Sequence, residues 1–376
     1  MIILRYLTFS LIILNVPAIV LVKFNPFLGS LLSYVSILLL CVYYFFTDKS
    51  GWNWRMILIA LSYFLISGFQ YDGLTTDFIY DFIKYMIFLI CCYELTKKIS
   101  NIELFFFLLF GTLTIGYNAL FVPTDYGRYS GFYINPNVAG FICIYGYSLV
   151  YSIKNTSLKL FGQFVFTLMG LLTFSRTFIV IWLMLNLISL QISIKNIRIF
   201  GIGFLIFSTL IVINETVGLN NPRFDQLMSI ANNEEVSVEE INEDNRADTW
   251  AEFYDAILEN PIFGRGYGKF SGKLGQKGTH NTYLMIVGEA GIIPFFLFLA
   301  YIGYLFYWSI LYFKEKPNLI MQTIALSMFL LANHNFFTFY FVSFTAMWIQ
   351  YQIYTLKQGV TSNDEYNHDK IEKRLY

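Results

Sequence analysis

The chain is short of charge. Of its 376 residues only 13% are Asp, Glu, Lys or Arg, roughly half the ~25% share of a soluble globular domain. A soluble enzyme and a disordered chain are both excluded by that shortage. Basic and acidic residues stand at 25 each, a formal net charge of +0, so no basic excess meets the phosphates of a nucleic acid. Cysteine is scarce too. Cys41, Cys91, Cys92 and Cys143 all lie in apolar runs, with no C-x-x-C spacing. They read as small buried hydrophobes and not as a disulfide scaffold. Histidine is limited to His280, His334 and His368 without ligand-type spacing, so no metal site is expected.

What abounds is apolar surface. The chain is 56% hydrophobic and 20% aromatic, with a mean hydropathy of +0.56. This composition predicts an all-α, polytopic integral membrane protein, because a helix satisfies its own backbone inside lipid. Runs near the ~20 residues that cross the hydrocarbon core fall at 2–22, 27–46, 55–70, 78–95, 102–120 and 138–153. They continue at 158–174, 177–194, 199–214, 283–312, 318–333 and 336–356. About twelve spans are expected from this count. The first run lacks a small-residue cleavage site, so it reads as a span and not as a signal peptide.

Charge gives an independent orientation, since basic residues in short loops favour the cytoplasmic side. With the N-terminus inside, that side receives Arg5, Lys49, Arg55, Lys97, Lys98, Lys154, Lys159, Lys195, Arg198, Lys314 and Lys316. The short outer loops keep Lys23, Arg128 and Arg176. An even number of spans also puts the tail inside, so both termini are expected to be cytoplasmic. The chain divides into spans one to nine over 1–214, a large extracytoplasmic loop over 215–282, spans ten to twelve over 283–356, and a polar tail over 357–376. In the large loop an acidic stretch from Glu234 to Asp244 precedes an amphipathic helix capped near Asn245. Trp250, Tyr254, Ile257 and Leu258 recur in it at helical spacing, and Asn260-Pro261 ends it. A glycine-rich basic segment from Gly264 to Gly278 leads on to His280. The tail is expected to be disordered. No internal repeat is visible.

The anomaly is positive charge on the outer face: Arg128, Arg176, Arg223, Arg246 and Arg265. A guanidinium stays charged in any surroundings and grips phosphate oxygens through two parallel hydrogen bonds. Several converging at a membrane surface suit a lipid-linked diphosphate. Pairing with nearby acids is the plainer reading, and for Arg223 the better one. Arg176 sits in the tight turn Ser175-Arg176-Thr177 between two spans, where a charge is costly to keep without a role. His280 stands at the membrane face and either serves as general base near neutral pH or is simply a surface side chain; the residues leave both open. Asn135-Pro136-Asn137 can start a helix, whose N–H groups also suit an anion. Asp81 and Lys84 form either a mutually neutralised pair or, through Lys84, a further phosphate contact. Gly264, Gly266 and Gly268 follow no strand, so a nucleotide fold is excluded.

Taken in order, Gly131 to Asn137, Ser175-Arg176-Thr177, Arg246 with Trp250, Asn260 to Gly268, His280-Asn281-Thr282-Tyr283 and Glu289-Ala290-Gly291 resemble the signature of the O-antigen ligase/polymerase superfamily. The resemblance implies a glycosyltransferase at the outer, periplasmic face of a bacterial cytoplasmic (inner) membrane, without cofactor, metal or nucleotide sugar. Its donor would be an oligosaccharide on undecaprenyl diphosphate, and its acceptor a glycan or lipid A–core. Arg176 and Arg246 would hold the donor diphosphate, and His280 would orient or deprotonate the acceptor hydroxyl. Arg265, Arg128, Asn135, Asn137, Asn281 and Lys84 would be substrate contacts, with Arg265 ranked below the other two arginines because its position is not always basic in the family. A polymerase of O-antigen or capsule is slightly preferred over a ligase. The resemblance further implies membrane lipid around the site, with a chain-length regulator and a flippase as candidate partners. A flippase or transporter, or a scaffold of an assembly complex, are the other classes; the former shows repeats and charges near the midplane of paired spans, whereas this chain shows no repeat and Asp81/Lys84 is its only clear charged pair within a span.

Overall fold

The computed structural model describes residues 1–49, 51–122, 127–217 and 246–375. It is helical, and no strand occurs among these residues. The helices are α1 (Ile2–Ile13), α2 (Val16–Lys23), α3 (Pro26–Phe45), α4 (Trp54–Phe69), α5 (Thr75–Lys98), α6 (Asn101–Phe121), α7 (Pro136–Leu149) and α8 (Thr156–Leu172). There follow α9 (Arg176–Ile192), α10 (Arg198–Val217), α11 (Arg246–Ala251), α12 (Tyr254–Glu259), α13 (Thr282–Ala290), α14 (Ile292–Leu311), α15 (Pro317–Leu330) and α16 (Tyr340–Leu375). Each apolar run read from the sequence is helical. Many begin at a side-chain cap that supplies an acceptor to the otherwise unpaired first N–H groups: Asn25 for α3, Asn53 for α4, Ser100 with Glu103 for α6, Asn155 for α8.

Three of the helices, α3, α6 and α14, are long and apolar enough to cross a membrane, and the pair α1–α2 makes a fourth if its two halves are taken together. The distribution of side chains fits a membrane protein. Leu38, Phe45, Phe110, Phe204 and Phe296 are exposed on helix flanks, as lipid-facing side chains would be. Polar groups turn inward instead, where they tie helices together. Tyr147 donates to Asn186 at 2.6 Å, Asn53 to Gln350 at 3.0 Å, and Tyr85 shares a 2.8 Å hydrogen bond with Ser343. All four cysteines are free, three of them buried and Cys41 half-buried.

The structure differs from the sequence reading in four places. The first run is two helices bent by 54°, because Asn15 adopts a left-handed φ of 54° and Pro17, in the first turn of α2, has no N–H to continue the ladder of α1. The tenth run breaks at Gly291, φ 77°, where a Cβ would lie 2.0 Å from the carbonyl oxygen of Ile262; only glycine allows that approach. The single amphipathic helix expected after residue 245 is the two short helices α11 and α12, separated at Glu252-Phe253. The tail continues α16 as helix to Leu375, where a disordered end was expected. Arg223, the acidic stretch and the cap Asn245 lie outside the described residues.

Candidate active site

Helix ends and loops gather at one end of the bundle. The N–H of Tyr267 donates to the carbonyl of Ser67 at the end of α4, at 2.9 Å. Thr282 at the start of α13 donates to the carbonyl of Asn333 beyond α15, at 2.6 Å. Asn137, in the first turn of α7, accepts from Ser175 at the start of α9 at 2.9 Å and from Arg128 Nη2 at 3.0 Å. One asparagine oxygen thus joins three segments.

Above that junction lies a cavity of about 360 Å³, lined by Arg128, Arg176 and Arg246 together with Asn137 and Trp250. Its apolar wall comes from Phe174, Val180, Met328, Leu331 and Ala332. Among the described residues its lining carries three guanidinium groups and no carboxylate. Arg176 is the first residue of α9, whose cap is Ser175. A cation there opposes the helix dipole; the same end, with its N–H groups, favours an anion. The indole N–H of Trp250 is buried and has no acceptor among the described residues. A buried donor without a partner is costly, and here it belongs to a residue lining the cavity. Charge, helix end and indole together suit a multiply charged oxyanion such as a diphosphate.

His280 stands beside this cavity and not in its lining. The residue takes a left-handed φ of 49°, a conformation uncommon outside glycine. Its backbone N–H donates to His334 Nδ1 at 3.0 Å, and the two rings lie 5.0 Å apart. Burial, reinforced by the neighbouring His280, lowers His334 to about 4, so its ring is neutral at pH 7 and its proton sits on Nε2. His334 follows Leu331 and Ala332 of the cavity wall by three and two residues. Sequence reading set His334 apart in another outer loop; its contact with His280 spans 54 positions, and no local spacing signals it.

The other candidate residues separate. Asn135 caps α7, accepting from the N–H of Asn137 at 2.8 Å, and Asn281 caps α13, accepting from Tyr283 at 2.9 Å. Arg265 pairs with Glu259 and lies outside the arginine cavity's lining. Lys84 is elsewhere, its Nζ 3.8 Å from the centre of the Tyr34 ring. The expected Asp81–Lys84 pairing gives way to Asp81 with Lys273, at 2.5 Å, and Tyr267, at 2.9 Å. The glycine-rich loop folds over α5 and brings those partners closer than Lys84, which lies along the same helix.

That loop is held from beneath by Glu289 of α13, which is fully buried. Its carboxylate accepts from the N–H groups of Phe270, at 2.8 Å, and Ser271, at 2.7 Å, and from the hydroxyl of Tyr63. Tyr63 stacks on Phe337 at 4.1 Å. Phe270 in turn accepts from the N–H of Thr279 at 2.9 Å, next to His280. The glycines of this segment serve close packing. A Cβ on Gly266, φ 101°, would lie 2.2 Å from the Gln70 carbonyl oxygen. A lone acid amid the apolar run 283–312 was the sequence signal for Glu289's role.

The family described as O-antigen ligase matches residues 161–299. The match takes in Arg176, Arg246, Arg265, His280 and Glu289, and leaves Lys84, Arg128, Asn135 and Asn137 outside it. No curated protein matches the chain.

Proposed function

We propose, on the premise that this match puts the chain in the O-antigen ligase/polymerase superfamily, that it transfers a glycan from undecaprenyl diphosphate to an acceptor sugar hydroxyl. The premise supports a membrane enzyme of surface-polysaccharide assembly; the donor, the outer-face site and the residue roles are the proposal. The observation that carries it is the convergence of Arg128, Arg176 and Arg246, far apart in the chain, on one cavity. About twelve crossings with both termini in the cytoplasm, a reading supported by the basic-residue bias, would turn this end of the bundle outward.

In the reaction the acceptor hydroxyl oxygen attacks the anomeric carbon of the donor. The bond from that carbon to the diphosphate oxygen breaks, and its electron pair leaves with the lipid diphosphate. Arg176 and Arg246 neutralise the charge that builds there, with Arg128 held in reach by Asn137. Such preorganised groups are commonly worth ~3–4 kcal/mol each. His280 orients the hydroxyl and takes its proton. The bond from its own N–H to His334 fixes the backbone that presents it. Charge neutralisation by arginine needs no metal, and activity in EDTA is the outcome expected.

Polymerase is the reading preferred, with ligase as the alternative. Deleting the gene and separating surface and lipid-linked glycans on gels decides between them. Single repeat units left on the outer acceptor, without a ladder, identify a polymerase. Polymer held on undecaprenyl diphosphate identifies a ligase. An unchanged profile contradicts both and favours a flippase or transporter.

A further inference from the structure

A second cavity, of about 610 Å³, opens at the same end of the bundle. It shares no lining residue with the arginine cavity, and its chemistry is different. Asp77, Asp81 and Lys84 fall at i, i+4 and i+7 of α5, so one face of that helix carries a polar stripe. Ionisable groups on such a helix are kept at a cost that points to use. Tyr34, Tyr71, Tyr80 and Tyr267 supply aromatic rings around the stripe. Lys273 reaches in from the glycine-rich loop to pair with Asp81, while Lys84 rests against Tyr34. Two carboxylates and two ammonium groups make the lining formally neutral, which suits a diphosphate poorly. Ring faces for apolar C–H surfaces, beside carboxylates that accept from adjacent hydroxyls, suit a sugar. The volume is that of a ligand site.

We propose that this cavity binds sugar rings of the acceptor glycan, packing them on Tyr34 and Tyr80 while Asp77 and Asp81 accept their hydroxyls. The inference rests on the glycosyltransferase reading for the word acceptor, and on the cavity alone for the sugar. Its place is apt. The loop that lends Tyr267 and Lys273 to the cavity runs directly on to His280, so an acceptor seated here lies against the segment that carries the base.

The test uses the full-length protein in detergent and two probes, the repeat-unit oligosaccharide released from the host's surface polysaccharide and inorganic pyrophosphate. Saturation-transfer NMR reads the first and calorimetry the second. Tyr80→Ala and Asp77→Asn are expected to weaken oligosaccharide binding at least tenfold and to leave pyrophosphate binding unchanged; Arg176→Ala is expected to do the reverse. With a lipid-linked donor, Tyr80→Ala should raise KM for the acceptor and not for the donor. Oligosaccharide binding within twofold of wild type in both cavity variants overturns the inference, as does its loss in Arg176→Ala or a KM effect on the donor alone. If a cavity variant loses both probes, Tyr80→Phe keeps the ring face and must restore the oligosaccharide; failure to do so counts against the cavity. Absence of pyrophosphate binding in the wild type, with oligosaccharide binding intact and sensitive to Tyr80→Ala, would sink the diphosphate reading and leave the sugar site standing.

Discussion

An arginine at the first position of a helix works against the helix dipole, and Arg176 holds that position in α9. What a guanidinium offers there is a planar fork that matches two phosphate oxygens at once, which an ammonium cannot reproduce. Arg176→Lys and Arg246→Lys should therefore lower transfer at least tenfold with the protein still in the membrane; full activity in a transfer assay would reduce the role to a point charge. His334 gives a second expectation at this level. Its folded pKa of about 4 lies below its ordinary 6.5, so the fold favours the neutral ring. The stability this contributes is fully present above pH 6.5 and is lost as pH falls from there towards 4, because the unfolded chain takes up the proton first. Thermal unfolding across that window should show a fall that His334→Asn, which keeps an acceptor without titrating, flattens. Arg128, Arg176 and Arg246 could be singled out in the sequence because the twelve-span reading sets them on the outer side, against the usual charge bias; the cavity that gathers them could not. The His280–His334 contact was not, since it depends on two loops brought together by the fold.

The glycine-rich loop depends on one buried carboxylate. Glu289→Leu would leave the N–H groups of Phe270 and Ser271 without acceptors, at about 1–3 kcal/mol each. The variant should unfold at lower temperature and be cut by protease between Gly264 and Gly278 where the wild type resists; equal resistance would show that the loop is held by other contacts. Helices were the most legible elements, because most are long apolar runs opened by Asn, Ser or Pro. The breaks at Asn15 and Gly291 were hidden because hydropathy passes through them unchanged. The division of α11 from α12 was hidden for the opposite reason: amphipathic spacing continues from Trp250 to Leu258 across the turn at Glu252-Phe253 that interrupts the backbone.

Across the whole chain, orientation decides whether the arginine cavity can meet a lipid-linked donor on the outer face. In a cysteine-free background, Lys277→Cys, on the exposed loop next to His280, should react with an impermeant maleimide added to intact spheroplasts, and Lys314→Cys, between α14 and α15, only after lysis. The reverse pattern would turn the bundle over. The general character of a membrane helical bundle could be read from composition alone. The two cavities could not, because each is assembled from segments separated by many helices, and sequence shows only their separate members. The most direct test of the proposed diphosphate site is replacement of the gene by Arg176→Ala or Arg246→Ala, followed by gel separation of surface glycans with protein level checked by immunoblot. Loss of long-chain glycan from the acceptor at normal protein level is the result expected; wild-type chain length and amount in either variant would contradict it.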